Sequence, residues 1–363
     1  MTTAAVPIAS PGNFFEDFRV GQTLRHAVPR TVTEGDQSLY IALTGDRNPL
    51  HCSAEFARSL GFRRETVNDL LTFHIVFGKS VPDVSLNAIA NLGYAAVRFL
   101  RTVYPGDTLA ATSEVVGRRE SSTGDSGVVW VHTVGKNQRD ETVLEFYRWI
   151  LVRKRTPGLT NDPDETPELP KEVAPGDLVV PEAFDFSRFD PGVTGGRWFW
   201  EDYAPGQRIV HPQGMTLEEA EQQIVTRLYQ NTARAHFNAL EMSQSRFGRR
   251  IIYGGHIISV ARALAYDGLE NAVAILAWNG GTHSNPTMAG DTLFAWTEVL
   301  DRIDLGRADC GALRLRLVAV KNQDPNREEI PLKVKDERGR DVYHPNVVLD
   351  LDYVALIPRR RAA

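Results

Sequence analysis

"VYPGDTL" at Val103–Leu109 returns as "TMAGDTL" at Thr287–Leu293, and this repetition organises the whole chain. A second pair precedes it, "FEDFRVGQ" at Phe15–Gln22 and "WEDYAPGQ" at Trp200–Gln207. The first pair starts at 103 and 287, an offset of 184; the second starts at 15 and 200, an offset of 185. One short match is within reach of chance. Two matches in the same order at nearly the same spacing indicate a single unit used twice.

Working outward from these anchors, each unit reads as helix followed by strands. Gly21–Thr33 has the character of a strand and Glu34–Gly45 that of a short helix. Leu70, Phe73, Phe77 and Val81 recur at helical spacing, which predicts a long helix with an apolar stripe over about 67–82. Four β-rich runs follow, near 87–101, 108–117, 127–137 and 142–153; the second unit repeats the order, with its helix near 255–265. A long helix wrapped by a mostly antiparallel sheet is an α+β architecture. Residues 156–196 are rich in Pro and acidic residues and have no sustained period, so they read as a semi-extended linker along the outside, letting the halves pack side by side. The expected division is therefore 1–155, 156–196 and 197–363.

Composition narrows the function. With 363 residues, 42% of them hydrophobic, the chain is long enough for two domains with sizeable cores. A net charge of −5 gives no basic field to draw the protein onto nucleic acid or anionic lipid, so a small-molecule substrate is expected. No window approaches the roughly 20 apolar residues that span a bilayer, and the start lacks the pattern of a signal peptide. Cys52 and Cys310 are the only cysteines, too few for a disulfide framework, and read as free thiols. A cytoplasmic location is expected.

The chemistry concentrates in "YIALTGDRNPLHCSAEFA", Tyr40–Ala57. Asn48 followed by Pro49 is a helix start, Asn as the cap and Pro at the first helical position. His51 then falls in the first turn, where Asn48 can cap its backbone N–H and the positive helix terminus favours a neutral, basic imidazole. Gly45 permits a sharp bend before Asp46. A carboxylate and a neutral imidazole facing one cavity can share acid and base work on a water or a substrate proton. Taken singly, Asp46 as a helix-end charge and His51 as a core-edge residue are ordinary; the whole grouping is not.

That grouping, Tyr40-x-x-Leu43-Thr44-Gly45-Asp46-x-Asn48-Pro49-Leu50-His51, resembles the hydratase motif of the MaoC-like (R)-specific enoyl-CoA hydratases, which have the hot-dog fold. The duplicated layout resembles the family's double-hot-dog members. Stretches outside the motif, among them "FHIVFGKSVPDVSLNAIANLGY" and "IIYGGHIISVARAL", are similar to the mesaconyl-CoA hydratases, also called β-methylmalyl-CoA dehydratases. The resemblance implies a lyase acting on a branched, dicarboxylic 2-enoyl-CoA, with Asp46 and His51 activating the water. It also implies that backbone N–H groups at the start of the central helix, here Thr66, Val67, Asn68 and Asp69, hold the thioester oxygen, and that Gly45 and Asn48 border the substrate. An Asp at position 69 is unexpected beside an enolate unless its side chain caps the helix. The acyl and pantetheine arm is placed against Ile89, Ala90, Asn91 and Leu92 and near Leu100, Arg101 and Thr102. Arg101 is read either as a partner for a phosphate or carboxylate or as a solvated surface residue. His74 reads as a core histidine, and His283 as a lesser pocket candidate.

Aligned on its histidine, the second unit reads "YQNTARAHFNA": Asn231 stands opposite Asp46, Ala233 opposite Asn48 and His236 opposite His51. One active site per chain is expected; the rival reading gives Asn231 and His236 a catalytic role, although an amide is no general base. No dinucleotide or phosphate loop and no metal-ligand spacing appears, so no metal and no cofactor beyond the substrate's CoA are expected, and a homo-oligomer stays open. Three alternatives are carried: a general (R)-specific 2-enoyl-CoA hydratase, an acyl-CoA thioesterase and a non-catalytic acyl-CoA-binding protein.

Overall fold

The computed structural model describes residues 10–159 and 163–360. Its helices are α1 (Glu34–Thr44), α2 (Pro49–Cys52), α3 (Ala54–Ser59), α4 (Asp69–Ser80), α5 (Pro191–Thr194), α6 (Glu219–Leu228), α7 (Ala239–Met242) and α8 (Gly254–Leu264). The first half contributes strands β1 (Thr23–Arg25), β2 (Arg30–Thr31), β3 (Ala88–Phe99), β4 (Thr108–Glu120), β5 (Ser126–Lys136) and β6 (Thr142–Arg153). The second contributes β7 (Arg208–Val210), β8 (Met215–Thr216), β9 (Ala274–Thr282), β10 (Thr292–Ile303), β11 (Cys310–Lys321), β12 (Lys333–Lys335), β13 (Asp341–Tyr343) and β14 (Val347–Pro358).

Twelve of these strands form one antiparallel sheet in the order β1-β4-β5-β6-β3-β9-β14-β11-β10-β7, with β2 beside β4 and β8 beside β10. The order mirrors itself about the β3–β9 contact. So does the register: Tyr94 pairs with Gly281 and Val97 with Trp278, and the repeat spacing of 184 turns the one pair into the other. Register shifts at Val115/Gly117 in β4 and Val299/Asp301 in β10 obey the same spacing. Such bulges bend a strand and help a sheet curl round a helix. Each half is thus a hot-dog unit, and the two share one continuous sheet.

The helix near 70–81 differs from the amphipathic stripe that the sequence predicts, since every residue from Leu70 to Ser80 is buried. Its own sheet covers one side and the second half covers the other. His74 donates or accepts a 2.8 Å bond with Ser259 of α8, so the two central helices do lie against each other. A helix without a polar face is one that has no solvent side.

Two other expectations change. The Gly21–Thr33 strand breaks into β1 and β2, because Val28 turns to φ 62° and His26 is drawn inward to Asp83 (2.8 Å) and Ser113 (2.7 Å). The connector at 156–196 is more than a spacer: Val173, Phe184, Phe186 and Phe189 are buried against α2–α3 and the outer sheet face. Phe184 meets Phe62 edge to face at 4.7 Å. Apolar anchors spaced among Pro and acidic residues are hidden from a compositional reading.

His211 repeats His26 in the second half, donating through Nδ1 to the Asp267 carbonyl (2.7 Å) and accepting at Nε2 from Thr297 (2.8 Å). Burial pushes its pKa down to about 4. The unfolded chain takes up this proton below roughly pH 6.5, whereas the folded chain resists it until about pH 4, so stability is lost as the pH is lowered through that window. The full effect of this one group is about 3 kcal/mol. In His211→Gln the dependence of unfolding free energy on pH, measured in urea between pH 7 and 4.5, should flatten by nearly one proton; an unchanged slope would show that His211 is not a source of acid lability.

Candidate active site

The site begins where α1 ends. Gly45, at φ 72°, closes that helix with its N–H on the Ile41 carbonyl (2.9 Å), a left-handed turn that costs glycine little. Asp46 follows, half-buried and held on both oxygens: Oδ1 accepts from the Asn48 N–H (3.2 Å) and Oδ2 from the Asn68 side-chain amide (2.7 Å). Asn48 caps α2, as expected, but through the Leu50 N–H (3.1 Å). The His51 N–H goes instead to the Asn48 carbonyl (3.0 Å), since α2 is a single turn. The Asn48 amide donates to the Val273 carbonyl (2.8 Å) of the other half.

His51 is buried, and its Nδ1 lies 3.2 Å from the Thr66 carbonyl and 3.1 Å from the Thr66 hydroxyl. A carbonyl only accepts, so Nδ1 carries the proton and Nε2 keeps the lone pair. Gln37 steadies this arrangement from α1, its amide donating to the carbonyls of both His51 and Thr66.

At the start of α4 the expected donors divide. The Thr66 and Val67 N–H groups are consumed by the carbonyls of Leu50 (3.1 Å) and Val103 (2.9 Å). Those of Asn68 and Asp69 have no acceptor among the described residues and point from a helix N-terminus. The capping role suggested for Asp69 belongs to Asn68, whose Oδ1 takes the Leu70 N–H (2.8 Å). Asp69 reaches across instead, Oδ2 accepting from the Ile275 N–H (2.9 Å) of β9. Burial raises its pKa, with His51 acting in the opposite sense.

Asp46, Asn48, His51, Asn68 and Asp69 line one cavity of about 20 Å³, closed from the other half by Ala274, Ile275 and Arg262 of α8. A single water needs about 10–15 Å³. The strand facing the motif is therefore β9, not the strand that follows the helix of the same half. Ile89, Ala90 and Asn91 line a different cavity, of about 300 Å³, and Leu92 is exposed. The two-fold junction sets each half's motif against the other half's central strand. Leu100, Arg101 and Thr102 do not line the catalytic cavity; Leu100 pairs with Val143, and the exposed Arg101 sits 3.5 Å from Glu141.

In the second half the turn survives without the acid. Asn231 Oδ1 accepts from the Ala233 N–H (2.9 Å), as Asp46 does from Asn48, and His236 Nδ1 donates to the Ile251 carbonyl (3.1 Å). Burial pushes the His236 pKa down to about 4. Both residues line the 300 Å³ cavity. The motif gave no sign of Arg262 or Gln37; for Arg262 the available signal was a lone charge in the apolar run "HIISVARAL".

Residues 5–329 match the family model described as mesaconyl-CoA hydratase. The chain belongs to the mesaconyl-CoA hydratase family. Within that family it is 53% identical to the β-methylmalyl-CoA dehydratase of Chloroflexus aurantiacus, over 97% of this chain and 98% of that one. It is 51% identical to the mesaconyl-CoA hydratase of Cereibacter sphaeroides, over 96% and 98% respectively. Among solved structures, a MaoC-domain dehydratase from Chloroflexus aurantiacus superposes with a TM-score of 0.93 at 52% identity, covering 98% of this chain and all of that one. A double-hot-dog protein from Mycobacterium tuberculosis, 24% identical and covering 95% of this chain and 98% of its own, superposes at 0.72 and shares the fold. Among the described residues of this family member no helix is long and apolar enough to cross a membrane.

The Asn68–Asp46 contact gives a pH test. Asn68→Asp retains a good helix cap but sets a second carboxylate against Asp46, and two carboxylates in hydrogen-bond contact cannot both ionise freely. The acid limb of the kcat/KM profile should move to higher pH by about one unit or more. A profile superposable on the native one would separate Asn68 from the titrating group.

Proposed function

We propose that this chain adds water reversibly to mesaconyl-CoA, giving β-methylmalyl-CoA, as a hydro-lyase. The observation that carries the reading is the water-sized cavity between Asp46 and His51, with the carboxylate fixed by two donors and the imidazole fixed by its Nδ1–H. In the forward direction a water held by both groups gives up a proton to one of them as its oxygen attacks the β-carbon. Electron density then moves onto the thioester oxygen, where the N–H groups of Asn68 and Asp69 receive it at the positive end of α4. The enolate collapses as its α-carbon takes a proton from the protonated member of the pair. Water is consumed, the thioester stays intact, and the chemistry uses only side chains, backbone and the substrate's own CoA.

Arg262 supports a dicarboxylic substrate over a plain 2-enoyl-CoA. It is the cation that lines this cavity, and the second carboxylate of the acyl group needs a charged partner once water is excluded. The two free thiols fit the cytoplasm as the place of work.

Two measurements test the reading. Asp46→Asn and His51→Ala should each lower turnover by roughly two to four orders of magnitude, with loss of enoyl absorbance as the readout, while His236→Ala retains most of it. Equal losses at His51 and His236 in folded proteins would overturn the one-site assignment, and release of free thiol would indicate a thioesterase. Arg262→Met should raise KM for mesaconyl-CoA about tenfold or more and leave a monocarboxylic enoyl-CoA nearly unaffected. Equal effects on both substrates would remove Arg262 from carboxylate recognition.

A further inference from the structure

The 300 Å³ cavity of the second half is not a weakened copy of the catalytic one. Its walls are apolar at Phe77, Val81 and Ile257, yet its lining includes Arg148, Arg246, His236 and His283, with no Asp or Glu. Arg148 lies on β6 and is fully buried. Nη2 donates to the Ser80 hydroxyl (2.8 Å) and Nη1 to that of Ser85 (3.5 Å), while Nε has no partner and the guanidinium forms no ion pair among the described residues. Burial pulls its pKa down to about 10, so it remains cationic at neutral pH. A buried charge without a counter-charge is strongly disfavoured, and a fold that keeps one facing a cavity has a use for it.

His283 adds to this. Both ring nitrogens are buried without a hydrogen-bond partner. Its ring sits where a Cβ on Gly254 would come within 2.6 Å, and Gly254 stands at the position that Asp69 holds in the first half. Removal of that carboxylate thus makes room for a second nitrogen base. The equivalence extends to the arginines. Arg148 pairs across the sheet with Val131 and Tyr353 with Leu315, which are the same positions 184 residues apart along β5 and β11. Phe77 and Arg262 are likewise the ninth residues of α4 and α8. The second cavity has its cation on the sheet and its ring on the helix, 4.3 Å apart; at the catalytic cavity Arg262 is on the helix and acts on Tyr353 of the sheet. Each cavity keeps one arginine at this helix–sheet contact, with the ends exchanged.

We propose that this cavity is a second ligand site, taking a short apolar chain that ends in a carboxylate, with the carboxylate on Arg148 and His283 and a second negative group at the exposed Arg246. The site binds and does no hydration, since the carboxylate needed for base chemistry is replaced by Asn231. It is separate from the catalytic cavity: Gly254 lines the one and Arg262 the other, eight residues or about 12 Å apart along α8. A five-carbon acyl group does not bridge that distance. The chemistry fits a free dicarboxylate or the carboxylated acyl end of a CoA thioester.

Calorimetric titration of the full chain with methylsuccinate, with methylsuccinyl-CoA and with the neutral dimethyl ester of the acid distinguishes these sources, because the saturated probes cannot be hydrated. One or both anions should bind and the diester should not. Arg148→Met should weaken that binding at least about tenfold while hydration of mesaconyl-CoA stays within about twofold of native. His283→Phe, which leaves the arginine in place, should weaken it in the same direction and decides the matter if Arg148→Met fails to fold. Unchanged affinity in these variants, weakening in Arg262→Met instead, or no binding of either anion at about 10 mM would overturn the proposal.

Discussion

Between Tyr94–Arg98 and Ala277–Gly281 the two halves exchange backbone hydrogen bonds, and this ladder fixes where every functional group can stand. Because β3 and β9 are equivalent strands meeting antiparallel, each half is carried round a local two-fold axis onto the other. The motif of one half then faces the central strand and central helix of its counterpart. The contacts of the site record this directly: the Asn48 amide reaches the Val273 carbonyl, Asp69 accepts from Ile275, and Arg262 closes the cavity. A first half folded alone would carry the motif but lack the wall.

Duplication has also separated scaffolding from chemistry. Asp46 organises the turn before α2 with one oxygen, and the proposed hydration gives the carboxylate a second task as a base. Asn231 retains the first task through Ala233 and loses the second. With Ala233 in place of a capping Asn, the counterpart of α2 is only a short 3-10 turn at Arg234–His236. Gln230 takes the left-handed conformation that Gly45 takes in the first half, at φ 52°. The backbone path has outlasted the residues best suited to it, because the surrounding sheet and helices hold it.

This division explains what could be read from the sequence. The helices near 34–45, 67–82 and 255–265, the four long strands of the first half and the cap at Asn48 depend on local spacing, and spacing was enough to find them. That β9 faces the motif was not legible, because the choice is made by a junction between residues about 180 apart. The connector misled for a related reason, its buried Phe184, Phe186 and Phe189 being diluted by Pro and acid. Arg148 was legible and passed over. In β6 it falls on the same alternating face as Leu144, Phe146, Ile150 and Val152, all buried, so period two alone places it inward.

Asp69 beside the proposed thioester-oxygen donors is the remaining tension in the site, and the two-fold junction resolves it. A free carboxylate at the start of α4 would oppose the negative charge that develops there. Here Oδ2 is turned to the Ile275 N–H of the opposite half, away from the donors, and burial raises the pKa. The backbone N–H of the same residue stays available because an N–H at the first helical position has no intrahelical acceptor. One residue therefore ties the halves together with its side chain and presents a donor with its main chain, two tasks that conflict only if the side chain is left unpaired. In the second half Gly254 has no side chain to tie, the tension disappears, and with it goes the geometry for enolate chemistry.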